Sequence, residues 1–346
     1  MEISKCIIDD SSSVLDVLMM IDKLPSLQTV FVLDSQKNIV GTVTDGDIRR
    51  ALIRGQTIKD NVTDVMHKNF SFLYEGSVDF KKILDFRRSK LKAVPLISTK
   101  GNLLKVYDFT RTKSILPIDA VIMAGGKGER LRPLTDTVPK PLLKVGGKEI
   151  ISYNFDRLLQ FGITNQTVTV NYLGSQISDF CKDYNSEINF SIIKEDKFLG
   201  TAGALSLVDN FSNDIVLLMN SDLLTDIDYE DLYKSFLKNK ADVLVASVPY
   251  RVSIPYAIFE HEDLKIKSLK EKPEYIHYAN AGIYLIKRSV LSFIPKNQFY
   301  NATDLMEKII EEGMSVVHYP MHNYWLDIGK PADFKKANED INNLKF

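Results

Sequence analysis

The sequence predicts an α/β protein in two parts: a small N-terminal α+β unit, then a larger layered domain with a mostly parallel sheet. Three observations carry this. Strand-like and helix-like stretches alternate from residue 117 onward. The first 115 residues hold one structural unit twice over. Between them, Ile115-Leu116-Pro117 biases the chain toward an extended join. A chain of 346 residues with 45% hydrophobic content is long enough for two cores.

In the first part, Ser13 to Leu24 has a helical pattern, with Val14, Val17, Leu18 and Ile21 on one face. Val30–Leu33 reads as a buried strand, Asp34 to Asn38 as a turn, and Ile39–Val43 as the return strand. A helix then follows Asp47, with Ile48, Ala51 and Leu52 on one face. The order recurs as helix (Val78 to Ser89), strand (Ala93–Ile97), turn (Ser98 to Asn102) and return (Leu103–Asp108). Two similar units packed on each other are expected. Phe70, Phe72 and Tyr74 alternate like a strand and read as core packing.

In the second part, Ile118–Met123 reads as a short buried strand. Further strands are expected at Thr167–Val170, Ile215–Met219, Asp242–Val248 and Gly282–Ile286, and helices at Ile150–Phe161 and Ser175–Tyr184.

Bulk properties exclude several classes. A net charge of −1 argues against nucleic-acid binding, which needs a basic excess. Cys6 and Cys181 have no zinc or redox spacing and read as ordinary reduced thiols. No apolar run approaches the ~18–20 residues of a membrane span, and the N-terminus lacks a secretory profile. A cytoplasmic protein with no membrane partner is expected. His318 and His322 are four apart, but Pro320 between them excludes a helical zinc pair.

The chemistry concentrates after the first strand of the second part. There Ala124-Gly125-Gly126-Lys127-Gly128 places backbone N–H groups at the strand's carboxyl end, and the glycines allow close approach of a ligand. Lys127, Arg130 and Arg132 add three positive charges within six residues, which suits a di- or triphosphate. Neither G-x-G-x-x-G nor G-x-x-x-x-G-K-[ST] fits the spacing.

The glycine segment continues through Glu129-Arg130-Leu131-Arg132-Pro133-Leu134-Thr135 to Pro139-Lys140-Pro141-Leu142-Leu143. With Leu199-Gly200-Thr201-Ala202-Gly203, Asn220-Ser221-Asp222, Glu271-Lys272-Pro273, Asn280-Ala281-Gly282 and Trp325-Leu326-Asp327-Ile328-Gly329, it resembles the sugar-1-phosphate nucleotidyltransferases. The resemblance implies a Rossmann-like three-layer domain with a mixed, mostly parallel sheet over residues 117–346. It implies transfer of a nucleotidyl group from a nucleoside triphosphate to a sugar 1-phosphate, with pyrophosphate released. By residue, it implies that Arg130 steadies the leaving pyrophosphate, Lys140 reaches the reacting phosphates, and Lys272 contacts the sugar phosphate. Asp222 and Asp327 would share Mg²⁺. The nucleotide would lie against Ala124–Gly128, Glu195, Gly200 and Thr201, and the sugar against Gly203, Glu271, Asn280 and Thr303. The segment Gly200–Gly203 is expected to open a helix at Ala204–Leu207.

Residues 1–115 resemble a tandem pair of CBS motifs, in which G-x-x-T-x-x-D helps hold a nucleotide's ribose and phosphate. Gly41, Thr44 and Asp47 fit that spacing in the first copy; the second has Asp108 but no threonine three residues before it. An adenine or guanine nucleotide site and a ligand-free packing and dimerisation module both remain open, and a homo-oligomer is expected. Val170–Ile177 and Leu199–Gly203 look like the guanylyltransferase side of the family. That implies GTP with glucosamine 1-phosphate or a related sugar, for surface-glycan or nonulosonic-acid precursors. Mannose 1-phosphate, a heptose 1-phosphate, UTP and dTTP stay as alternatives, as does a catalytically inactive nucleotide sensor.

Overall fold

The computed structural model describes residues 5–24, 27–76 and 79–344. It forms two compact units, one reaching to Pro117 and including Gln160–Gly162, the other holding Ile118–Leu159 and Ile163 onward.

The first unit contains β1 (Ile7–Asp9), α1 (Val14–Asp22), β2 (Thr29–Leu33), β3 (Ile39–Thr44) and α2 (Asp45–Ile53), then β4 (Leu73–Tyr74), α3 (Phe80–Arg88), β5 (Ala93–Ile97) and β6 (Leu103–Asp108). Each copy builds a three-stranded sheet, β1-β2-β3 and β4-β5-β6. The repeat extends to register: Thr29 pairs Thr44 as Ala93 pairs Asp108, and both hairpins carry a bulge one residue from the turn. The turns bridge through Asn38 and Asn102, and one core takes Val30–Leu33 from the first copy and Ile97 and Val106 from the second. Ser13 starts α1 with a capping box, its hydroxyl accepting from Asp16 N (3.2 Å) while the Asp16 carboxylate accepts from Ser13 N (2.9 Å).

The structure departs from the expectations at three places here, and a fourth lies outside the described residues. Leu52 is 41% exposed, so the buried face of α2 is Ile48 and Ala51. The aromatic run forms a strand only at Leu73–Tyr74; Phe70 and Phe72 pack against the core as expected, while Tyr74 is exposed and meets Phe72 edge on (5.1 Å). Val78, expected to begin the second copy's helix, lies outside the described residues. Finally, the second copy has no helix matching α2. Its position equivalent to Thr44 is Asp108, whose carboxylate accepts from Thr110 N (2.9 Å) and closes a tight turn.

The second unit contains β7 (Asp119–Met123), a small hairpin of β8 (Lys144–Val145) and β9 (Lys148–Glu149), α4 (Ile150–Gln160), β10 (Asn165–Val170), α5 (Gly174–Lys182), β11 (Asn189–Lys194), β12 (Ile215–Asn220), β13 (Leu223–Thr225), α6 (Tyr229–Lys238), β14 (Val243–Ser253), β15 (Ile258–Glu262), β16 (Lys265–Lys270), β17 (Glu274–Lys287), α7 (Ala302–Glu311), β18 (Val316–Pro320), β19 (Trp325–Asp327) and α8 (Pro331–Asp340). The main sheet runs β11-β10-β7-β12-β17-β14-β18. Only β17 runs against its neighbours, so the sheet is mixed and mostly parallel. Its central strands β7 and β12 are apolar runs (Ala120–Ile122, Val216–Met219) buried on both faces, as parallel strands require. The strand expected at Gly282–Ile286 is longer, because residues 274–280 pair with the distal half of β14.

α4 is buried nearly all round. Its Phe155 meets Phe190 (4.7 Å) and Tyr184 (5.4 Å). Its Arg157 donates to the carbonyls of Asp226 and Ile227, so the buried cation is compensated by acceptors. Cys6 and Cys181 are buried, and burial pushes their thiols up to about 11 and about 12, away from thiolate chemistry.

Residues 203–207 form a 3₁₀ turn rather than an α-helix. A β-carbon on Gly203 would overlap the carbonyl oxygen of Gln298 and sit 3.1 Å from Leu199 Cβ. Gly203→Ala is expected to destabilise the protein by about 2–4 kcal/mol, read as a lowered denaturation midpoint, because the neighbour that must yield is backbone. A midpoint within experimental error of wild type would count against this packing.

Candidate active site

The carboxyl ends of β7, β10 and β12 open on a cleft of about 700 Å³, the edge where α/β sheets place their ligands. Residues 124–128 leave β7 directly into it. Ala124 N donates to Thr169 O (2.9 Å), fixing the loop's root on β10. Gly125 has no room for a side chain: a β-carbon would lie 2.8 Å from Glu195 Oε1 and 3.3 Å from Asn171 Cβ. Gly128 has φ of 63°, a left-handed conformation that suits glycine, and it starts a 3₁₀ turn carrying Arg130.

Asp222 follows β12. Its bend is pinned by Asn154 of α4, whose amide donates to Ser221 O (3.3 Å) and Leu223 O (3.0 Å). The next residues, β13, pair antiparallel with β19, which sets Leu223 against Asp327, and Ile328 N donates to Asp222 O (3.2 Å). Two carboxylates more than a hundred residues apart therefore come together beside Lys140, with Asp222 lining the cleft. Trp325 Nε1 donates to Ala281 O (2.9 Å), tying this block to β17.

Lys140 occupies a 3₁₀ turn between Pro139 and Pro141 and is 9% exposed. Its ammonium donates to Asp222 Oδ2 and lies 3.9 Å from Asp327 Oδ1. Burial, and then the neighbouring Asp222, push the Asp327 carboxyl above its ordinary range, while Lys140 and Arg130 oppose the rise. Asp222 Oδ1 and Asp327 Oδ1 are buried without a hydrogen-bond partner. Two orphaned oxygens, one of them on a residue that lines the cleft, fit Mg²⁺, which takes one or two carboxylates and completes its shell with phosphate oxygens and water. Among the described residues no group of three or more His, Cys, Asp or Glu side chains forms a metal cage.

Glu195 is 3% exposed and lines the cleft; its Oε2 accepts from Leu199 N (3.0 Å). Burial raises its carboxyl, partly offset by that hydrogen bond. Gly200 (φ 78°) lies against Tyr300 O, and Thr201 Oγ1 accepts from Ala302 N (2.8 Å), so this segment reaches the cleft while capping α7.

The structure thus brings Ala124–Gly128, Arg130, Lys140, Glu195, Gly200, Thr201 and Asp222 to one cleft, with Asp327 beside Lys140. It places the remaining candidates elsewhere. Glu271 and Lys272 stand on the exposed connection between β16 and β17, Lys272 with φ of 44°. Gly203 is buried under Gln298. Asn280 donates to Tyr284 Oη (2.8 Å) and accepts from Gly282 N (2.9 Å), and Thr303 is an exposed residue of α7. Sequence reasoning gave no role to Asn171, Phe198, Asn220 or Gly329, all of which line the cleft. Asn171 follows β10, so its place after a strand was the available signal.

In the first unit, Thr44 and Asp47 line a second cleft of about 580 Å³ with Arg49, Arg50, His67, Lys90 and Lys92. They form the capping box of α2. Gly41 packs under Met66 and does not line the cleft, because a β-carbon would fall 2.6 Å from the sulfur.

Residues 119–343 match the family described as Nucleotidyl transferase. The chain belongs to the nucleotidyl transferase family. It is 30% identical over 223 residues to a mannose-1-phosphate guanyltransferase of Yarrowia lipolytica, covering 62% of this chain and 61% of that one. It is 30% identical over 239 residues to a UTP–glucose-1-phosphate uridylyltransferase of Synechocystis, covering 63% and 62%. The chain therefore spans about three fifths of the length of these relatives. The solved structure of HddC from Yersinia pseudotuberculosis is similar with a TM-score of 0.50 at 25% identity, covering 64% of this chain and 99% of that one. Among the described residues no helix of this nucleotidyl transferase is long and apolar enough to cross a membrane.

Proposed function

We propose that this protein transfers a nucleotidyl group from a nucleoside triphosphate, with GTP favoured, to a sugar 1-phosphate. The observation that carries the proposal is the meeting of Lys140 and Asp222 in the cleft lined by the glycine loop, with Asp327 beside the Lys140 ammonium. The sugar-phosphate oxygen attacks the α-phosphorus, and the bond to the β-phosphate oxygen breaks as pyrophosphate leaves. No covalent enzyme intermediate is needed, so positioning and charge neutralisation supply the rate. Asp222 and Asp327 would hold Mg²⁺, which when bound neutralises phosphate charge. The amides of residues 125–128 and the guanidinium of Arg130 hold the β- and γ-phosphates, and Lys140 reaches the α-phosphate. On the sugar side, Lys272 and Glu271 approach with their connecting turn.

GTP is favoured because the buried Glu195 carboxyl lines the cleft and can accept from guanine's adjacent N1–H and amino donors. Guanyltransferases also stand among the relatives. Glucosamine 1-phosphate or a related sugar is the acceptor we favour, ahead of mannose or heptose 1-phosphate. The test is a panel of nucleoside triphosphates against sugar 1-phosphates with Mg²⁺, following pyrophosphate. Release is expected only when both substrates are present, fastest with GTP, and is lost on chelation. Release from a triphosphate alone, or silence across the panel from folded protein, would sink the proposal in favour of a nucleotide sensor.

For the first unit, the basic cleft around Thr44 favours a regulatory CBS-type module that takes an adenine or guanine nucleotide. AMP, ATP or GMP is expected to raise the melting temperature by several degrees, and Arg49→Ala to remove most of that rise. Thr44→Ala is a poorer probe, since losing the α2 cap itself costs about 1 kcal/mol. No shift with any of the three nucleotides would leave only a packing role.

A further inference from the structure

We infer that Lys140 is the resident occupant of the metal position, and that divalent-metal binding depends on the nucleotide drawing its ammonium away. The inference rests on the reading of Asp222 and Asp327 as a metal pair. In the structure the ammonium already does part of a metal's work. It donates to Asp222 Oδ2, stands 3.9 Å from Asp327 Oδ1, and is held by a side chain that is almost wholly buried. One ammonium balances one of the two carboxylates, and Asp222 Oδ1 and Asp327 Oδ1 are left without hydrogen-bond partners. The pair therefore still attracts a cation. A divalent ion arriving there, however, meets a fixed positive charge a few ångströms away and competes with it for Asp222.

The remedy is built into the position of the lysine. Pro139 and Pro141 restrain its backbone, and its stem passes the nucleotide loop, since a β-carbon on Gly128 would lie 3.0 Å from Lys140 Cβ. Rotation about the side-chain torsions carries the ammonium from the carboxylates toward the loop that cradles the phosphates. A triphosphate offers it anionic oxygens there, and its departure uncovers both carboxylates. Lys140 thereby has two stations, and the metal is admitted together with the nucleotide.

The test uses the full chain and Mn²⁺ alone, with no nucleotide, by isothermal titration calorimetry and thermal melting. Wild type is expected to bind Mn²⁺ weakly and to melt at the same temperature with or without it. Lys140→Met is expected to bind at least about tenfold more tightly and to gain melting temperature with Mn²⁺. Lys140→Arg, which keeps the charge, should stay weak. Asp222→Asn added to Lys140→Met should remove the gain. If Lys140→Met gains nothing over wild type, the inference is overturned. Tight, Asp222-dependent binding by wild type also overturns it, while leaving the metal pair standing, and that measurement decides the matter even if Lys140→Met does not fold. Tight binding by Lys140→Met that Asp222→Asn leaves untouched overturns the metal pair itself.

Discussion

Asp222→Asn is expected to lower turnover by at least ~10³-fold with the fold retained, the largest functional effect of any single exchange in the cleft. Asparagine keeps the size of the side chain but loses its charge. The bend that carries it is held by groups the exchange does not touch: the Asn154 amide on Ser221 O and Leu223 O, and Ile328 N on the backbone carbonyl of residue 222. Lys140 loses its closest partner but keeps Asp327 at 3.9 Å, so the ammonium is not stranded. Stability should thus fall by no more than about 3 kcal/mol, the loss of one charged hydrogen bond. Steady-state kinetics beside circular dichroism separates the two effects. Activity within tenfold of wild type would remove Asp222 from the metal site. A collapsed spectrum would show that the exchange reports on folding instead.

How Asp222 and Asp327 come together also marks where the sequence stops being legible. The strand before Asp222 is a run of apolar residues, Ile215–Met219, and a period and a terminus can be read from it. The segment Ala124–Gly128 is legible for the same reason, because it is local: buried strand, glycines, then charge. The pairing of β13 with β19 is different. It joins Leu223–Thr225 to Trp325–Asp327, two three-residue strands with no period of their own, so resemblance alone linked the two carboxylates. The distal half of β17 was missed because residues 274–280 are mostly exposed and become a strand only through pairing with residues 247–253 of β14. Asn154 was missed as well: within a helical pattern it reads as a surface polar residue, yet it is buried and holds the bend that carries Asp222. In the first unit the repeat was visible from strands and turns. The loss of the second copy's α2 equivalent follows from Asp108 closing a tight turn where Thr44 caps a helix.

Arg130→Ala is expected to lower kcat by about 10²–10³-fold with a smaller change in KM, because its charge is used most as pyrophosphate departs. The geometry fixes the backbone turn that carries the guanidinium. Gly128, in a left-handed conformation, turns the chain into the single 3₁₀ turn Glu129–Leu131. Leu131 anchors that turn by burying its side chain with Leu224 and Ile328. Leu224 belongs to β13 and Ile328 directly follows β19, so the turn that aims Arg130 rests on the element that places Asp222 and Asp327. The guanidinium lies across Gly329, with Nη2 3.1 Å from where a β-carbon would stand. Gly329→Ala should therefore displace it by a few tenths of an ångström and produce a weaker version of the same defect. Arg130→Lys keeps a point charge but not the planar fork and should recover only part of the rate. Stability should hardly change in Arg130→Ala, since the side chain is exposed while Leu131 supplies the anchoring. A variant with normal kcat and only a raised KM would reassign Arg130 to ground-state binding of the triphosphate, and the charge on the leaving pyrophosphate would then have to be met by Lys127 or the loop amides.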